Sequence, residues 1–152
     1  MRKLIVIHTM ITLTCLPAFS QNIQDILFVQ QLADRPAATC ADAVRFFAYV
    51  TGSQLLDYGA ANRLLESRGV TAGMRLDPSA PLRRGTLATM IARYLNLGDS
   101  LMYFVIGTGR YATTACVAEG LMEGTASEWD ALSGGELIDI ATRAARAARG
   151  ER

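Results

Sequence analysis

The stretch LLESRGVTAGMRLDPSAPLRRGTLATMIARYL, residues 64–95, decides the fold. It opens with the end of a short apolar run that stops at Gly69. A loop rich in Gly, Asp and Pro follows. A second run then places Leu87, Met90, Ile91, Tyr94 and Leu95 on one helical face. A glycine just past a helix can take positive φ and end it. The apolar residue after it, Val70, then turns back towards the core. The pattern is helix, glycine stop, loop, helix. No sustained two-residue alternation occurs elsewhere, so the expected class is all-α, a small helical bundle.

The same order returns in CVAEGLMEGTASEWDALSGGELIDIATRAA, residues 116–145. Gly69-Val70-x-x-Gly73 falls over Gly120-Leu121-x-x-Gly124. Each loop carries an aspartate, Asp77 or Asp130, and reaches a leucine, Leu82 or Leu132. Leu87-Ala88-x-x-Ile91 then falls over Leu137-Ile138-x-x-Ala141. One helix pair cannot bury its apolar face alone, so several copies must pack together. The segment ATCADAVRFFAYVTG, 38–52, supplies a further second half: Thr39 is an N-cap with Asp42 three residues on. The expected organisation is about three helix-loop-helix units within 21–152, with second helices near 39–52, 83–97 and 133–147.

The remaining helices follow from the same signals. Residues 22–34 place Ile23, Ile26, Leu27 and Leu32 near one face. In 39–52, Val44, Phe47 and Ala48 recur at helical spacing. Residues 57–69 and 110–120 read as short helices, each ended by glycine. Gly98-Asp99-Ser100 breaks the chain before LMYFVIG. Ser133 and Glu136 form an S-x-x-E capping box. The tail RAARAARGER reads as a solvated or fraying end.

The first twenty residues have the layout of a secretory signal peptide. Arg2 and Lys3 precede an apolar run from Leu4 to Leu16, and Ala18 and Ser20 stand at the small-residue positions. The run is short for a membrane span, which needs about 20 residues. The alternatives are an uncleaved anchor, a buried helix, or lipid attachment at Cys15, which lacks the small residue expected before it. The mature chain, from Gln21, has no other span candidate. The chain holds 15 Lys and Arg, of which Arg2 and Lys3 lie in the leader, leaving 13 arginines against 14 acidic residues. That balance offers no basic surface of the nucleic-acid type. The single histidine, His8, and the single lysine also lie in the leader. Zinc sites of the usual kinds, Ser-His-Asp or Cys-His catalysis and Schiff-base chemistry are therefore excluded. No cofactor is expected. Two cysteines remain, Cys40 and Cys116. In an oxidising compartment they are a disulfide candidate, worth about 4 kcal/mol by loop entropy if formed.

The unit resembles the S-layer homology domain, present as three tandem copies in exported bacterial envelope proteins. That family runs helix, Gly-apolar-x-x-Gly, a loop with Asp and Pro, then Thr-Arg-Ala-Glu opening the second helix. In the middle unit Arg84 falls at the family's arginine, Arg83 at the threonine and Thr86 at the glutamate. In the last unit Ser133 and Glu136 match, with Gly134 at the arginine position. In the first unit Thr39 and Asp42 match, with Cys40 at that position. The family's first-helix tryptophan is missing, and Trp129 sits in a loop.

The resemblance implies an exported, non-catalytic module, periplasmic or associated with the cell envelope. It implies binding of cell-wall polysaccharide or a peptidoglycan-linked polymer in grooves between units, where the arginine meets the anionic glycan. Arg84, Arg83, Thr39, Ser133 and Glu136 are the ligand-binding candidates; Gly69, Gly73, Gly120 and Gly124 are structural. The bland alternative for Arg84 is a surface side chain near a helix start. A second reading keeps the fold and makes the chain an adaptor or subunit of an envelope assembly, with Phe46, Tyr49, Tyr103 and Phe104 as candidate contacts. A third reads Glu119 with Glu123, or Asp77 with Glu66, as an acid pair of a hydrolase; acidic residues at helical spacing are more often a solvated face.

Overall fold

A computed structural model describes residues 16–97, 109–124 and 127–151, with side chains from residue 23 onward. Among these residues the protein is all-helical, with no strand. The helices are α1 Leu16–Ala33, α2 Cys40–Val50, α3 Tyr58–Ser67, α4 Arg84–Tyr94, α5 Gly109–Ala118 and α6 Gly134–Ala148. None of them is long and apolar enough to cross a membrane. The first fifteen residues, the expected break at Gly98-Asp99-Ser100, and LMYFVIG with its Tyr103 and Phe104 lie outside the described residues.

The chain divides into two units, Met1–Gln31 and Leu32–Arg152. The first carries most of α1, where Ile23, Ile26 and Leu27 are exposed. Of the four residues expected on one face, only Leu32, in the second unit, belongs to its buried core.

Within the second unit the helix starts are fixed by side chains. Asp42 N–H donates to Thr39 Oγ1 at 3.2 Å, and Thr39 N–H donates to Asp42 Oδ2 at 2.9 Å. Ser133 and Glu136 make the same reciprocal pair at the head of α6. Each satisfies two helix-end donors that would otherwise lack partners. Asp42 is buried, and Arg35 grips both its carboxylate oxygens at 2.8 and 2.6 Å.

Five of the six helix ends obey one rule. After α3, Gly69 has φ +77° and Val70 N–H donates back to Leu65 O at 2.8 Å. That 6→1 bond returns the chain inward, and Val70 is buried. The same bond closes α2, α5 and α6 after Gly52, Gly120 and Gly150. In α4 the turning residue is Asn96, φ +53°, two residues before the expected break at Gly98. Asparagine is one of the few non-glycine residues that tolerates this region. Gly73 also has positive φ, at +69°, whereas Gly124 does not and rests against Val117 Cγ1.

α2 packs on α3, α4 on α5, and α6 touches both α2 and α4. Phe47 of α2 meets Tyr94 of α4 edge to face at 5.3 Å. α4 and α5 cross backbone to backbone at Gly85 and Gly109: a methyl built on Gly109 would sit 3.2 Å from Gly85 Cα. One turn on, Thr89 and Thr113 are buried, each donating its hydroxyl to the glycine carbonyl four residues back.

Three expectations need correction. Phe46 is core rather than exposed. The tail is not wholly solvated: α6 ends at Ala148, close to the expected 147, but Ala144 and Ala145 are buried, because the alanines repeat at helical spacing against the core. Cys40 and Cys116 are both free and buried, so the disulfide is absent. Cys116 sits on α5, its thiol against Ala88 O of α4 at 3.7 Å. Cys40 starts α2, with Asp77 and Tyr58 as its charged and phenolic neighbours. Burial, with Glu119 nearby, pushes the Cys116 thiol up to about 12. Burial and then Asp77 raise that of Cys40. Both are inert as nucleophiles near neutral pH.

Three inter-helix segments hold the heads of α2, α4 and α6 together by a closed ring of backbone hydrogen bonds. Ala38 N–H donates to Leu132 O at 2.8 Å, Leu82 N–H to Ala38 O at 2.8 Å, and Leu132 N–H to Leu82 O at 3.0 Å. All three side chains are fully buried. A second tier of donors follows two residues on: Cys40 N–H to Ala80 O, Arg84 N–H to Asp130 O, and Gly134 N–H to Arg35 O.

Candidate functional site

The ring brings Thr39, Arg83 and Ser133 to equivalent places, immediately before α2, α4 and α6. The hydroxyls of Thr39 and Ser133 are committed to their capping boxes. Arg84 is not a surface side chain: it is 7% exposed. Its Nη2 donates to Glu136 Oε1 of α6 at 3.1 Å, and its buried Nε has no partner. Glu136 therefore serves two helices. The N–H and hydroxyl of Ser133, and then the Arg84 guanidinium, hold its carboxyl below the usual carboxylate range.

The three residues that the resemblance sets at an arginine position have different fates. Cys40 is buried at the start of α2. Arg84 reaches across to α6. Gly134 admits no side chain, because a methyl there would collide with the carbonyl oxygen of Leu32. Four of the five ligand-binding candidates thus serve the framework. Arg83 alone opens onto a cavity.

That cavity is a groove of about 690 Å³ between the 73–76 loop, the heads of α4 and α5, and the 128–129 turn. Among the described residues Arg75, Arg83, Arg93 and Arg110 line it, with Glu128 as the one carboxylate and Trp129 beside them. Among the described residues none of these arginines makes a salt bridge; the ion pairs are Arg35–Asp42, Arg84–Glu136, Arg143–Asp139 and Arg149–Glu151. Arg93 braces the loop wall, donating to Ala72 O at 2.7 Å and Val70 O at 3.4 Å. The Arg83 guanidinium lies 5.0 Å from the centre of the Trp129 ring, a cation–π contact. Concentrated positive charge in a concave surface favours an anion, and guanidinium forks suit carboxylate or phosphate oxygens.

Arg75, Arg93 and Arg110 carry no local mark of function in the sequence. They come from a loop, the last turn of one helix and the first turn of another. The acid-pair candidates Glu66, Asp77, Glu119 and Glu123 are exposed, and none lines the groove. Asp77 closes its own turn, accepting from the Ser79 hydroxyl at 2.7 Å and N–H at 2.9 Å, which lowers its pKa. Among the described residues no group of His, Cys, Asp and Glu side chains could hold a metal ion. No family model, curated protein or solved structure matches the chain.

Proposed function

We propose that this protein is an exported, non-catalytic cell-envelope module of the S-layer-homology type that binds an anionic wall glycan in the arginine groove. The observation that carries the reading is the convergence of Arg75, Arg83, Arg93 and Arg110, without ion-pair partners among the described residues, on one concavity. The ring joining the heads of α2, α4 and α6 supports a three-unit organisation.

The test is co-sedimentation of the purified protein with sacculi that keep their attached polymers. Saturable, salt-sensitive pelleting is expected. Arg75→Ala with Arg110→Ala should weaken it at least tenfold, since a charge-assisted hydrogen bond contributes about 1.5–3 kcal/mol. Wild-type protein that stays in the supernatant, or a double variant that pellets unchanged, sinks the proposal. Arg84→Ala is the wrong probe, because that side chain is a strut between α4 and α6.

The exposed stripe Ile23, Ile26 and Leu27, at i, i+3 and i+4, favours a second reading, an adaptor that docks on another envelope protein. Protein that ignores sacculi but is crosslinked to an envelope protein through this stripe would replace the first reading with the second.

A further inference from the structure

Trp129 is unusual in being both exposed and firmly held. It is 69% exposed. The residues on either side of it are anchored: Glu128 O accepts from Gly85 N–H at 2.9 Å and Asp130 O from Arg84 N–H at 2.9 Å. The turn is closed on itself, with Ser127 N–H donating to Asp130 Oδ2 at 2.8 Å and Trp129 N–H donating to Ser127 Oγ at 3.2 Å. Arg83 covers one side of the ring. The backbone thus holds the indole beside the groove in advance, which lowers the ordering cost of binding.

We propose that Trp129 is the stacking platform for one pyranose ring of an acidic glycan, whose acid group pairs with groove arginines. This rests on the groove reading above and names the ligand's chemistry. One face of a pyranose carries axial C–H bonds, apolar and weakly positive. It complements the negative face of an indole. Glu128 offers a carboxylate to sugar hydroxyls, which are donors, and opposes a polymer of densely spaced charges. A ring-less anion such as poly(glycerol phosphate) has no face to lay on the indole. An acidic sugar uses every part of the groove.

The chain holds a single tryptophan, so its fluorescence reports on this site alone. Oligogalacturonate titrated into the full protein should change the emission saturably. Neutral maltooligosaccharide and poly(glycerol phosphate) should bind at least tenfold more weakly. By calorimetry, Trp129→Ala should lose at least tenfold in oligogalacturonate affinity with an unchanged Tm, and Trp129→Phe should recover part of the loss. No response to oligogalacturonate, equal binding of poly(glycerol phosphate), or full affinity in Trp129→Ala overturns the inference. Sacculus pelleting that survives Trp129→Ala but not the arginine pair leaves the groove reading standing and removes this one. Wild-type protein that does not pellet removes the groove reading itself.

Discussion

At the residue scale, two adjacent glycines at the head of α6 have opposite meanings. Gly134 faces the carbonyl oxygen of Leu32, and any Cβ there strikes backbone that cannot rotate away. Gly135 meets only Ala33 O, at an ordinary 3.9 Å. Gly134→Ala should therefore cost about 3 kcal/mol or more, at the upper end for overpacking. Gly135→Ala should be neutral or stabilise by up to about 1 kcal/mol, through helix propensity. Thermal melts of the two variants check this, with a Tm drop of roughly 10 °C expected for the first. The contrast is invisible in the letters GG. It depends on what the chain brings from a hundred residues away.

At the scale of elements, the strut between α4 and α6 is asymmetric. Arg84 is buried, whereas the Glu136 side chain is about half exposed. Removing Glu136 strands a buried cation and takes away the carboxylate half of the α6 capping box, so Glu136→Ala should cost about 3 kcal/mol. Replacing the cation by an apolar chain of similar length removes the unpartnered Nε as well, so Arg84→Met should stay within about 1.5 kcal/mol of wild type. Denaturant melts of the two variants test that order. The pH dependence follows from the same carboxylate. Its folded pKa lies below the unfolded value of about 4.3. Its contribution is complete above that value and disappears as pH falls through the folded pKa. Wild-type Tm should fall below about pH 4, and Glu136→Ala should flatten that part of the profile.

Capping boxes and glycine stops are the local signals that the sequence makes legible at this scale. Thr39 with Asp42, and Ser133 with Glu136, announce their helices because a capping box is a short-range device. Gly69 and Gly120 announce the stops for the same reason. Asn96 gives no such notice, because asparagine turns a helix only where its neighbours bond across it. The partner of Arg84 and the convergence of Arg75, Arg93 and Arg110 were not legible, since long-range packing decides them.

At the scale of the whole second unit, the ring at Ala38, Leu82 and Leu132 joins three segments that lie outside every helix. Each bond joins two helix heads, and pulling any one head away breaks two of the three bonds. A fraying helix end can exchange its amide hydrogens with solvent while the rest of the protein stays folded, but these three cannot. Native-state deuterium exchange should therefore find the slowest amides here, at free energies equal to global unfolding, rather than in the middle of a helix. Exchange at Leu82 that is faster than at the amides of central α4 would contradict this. The most durable hydrogens in an all-helical protein would then mark the three places where its chain is not helical.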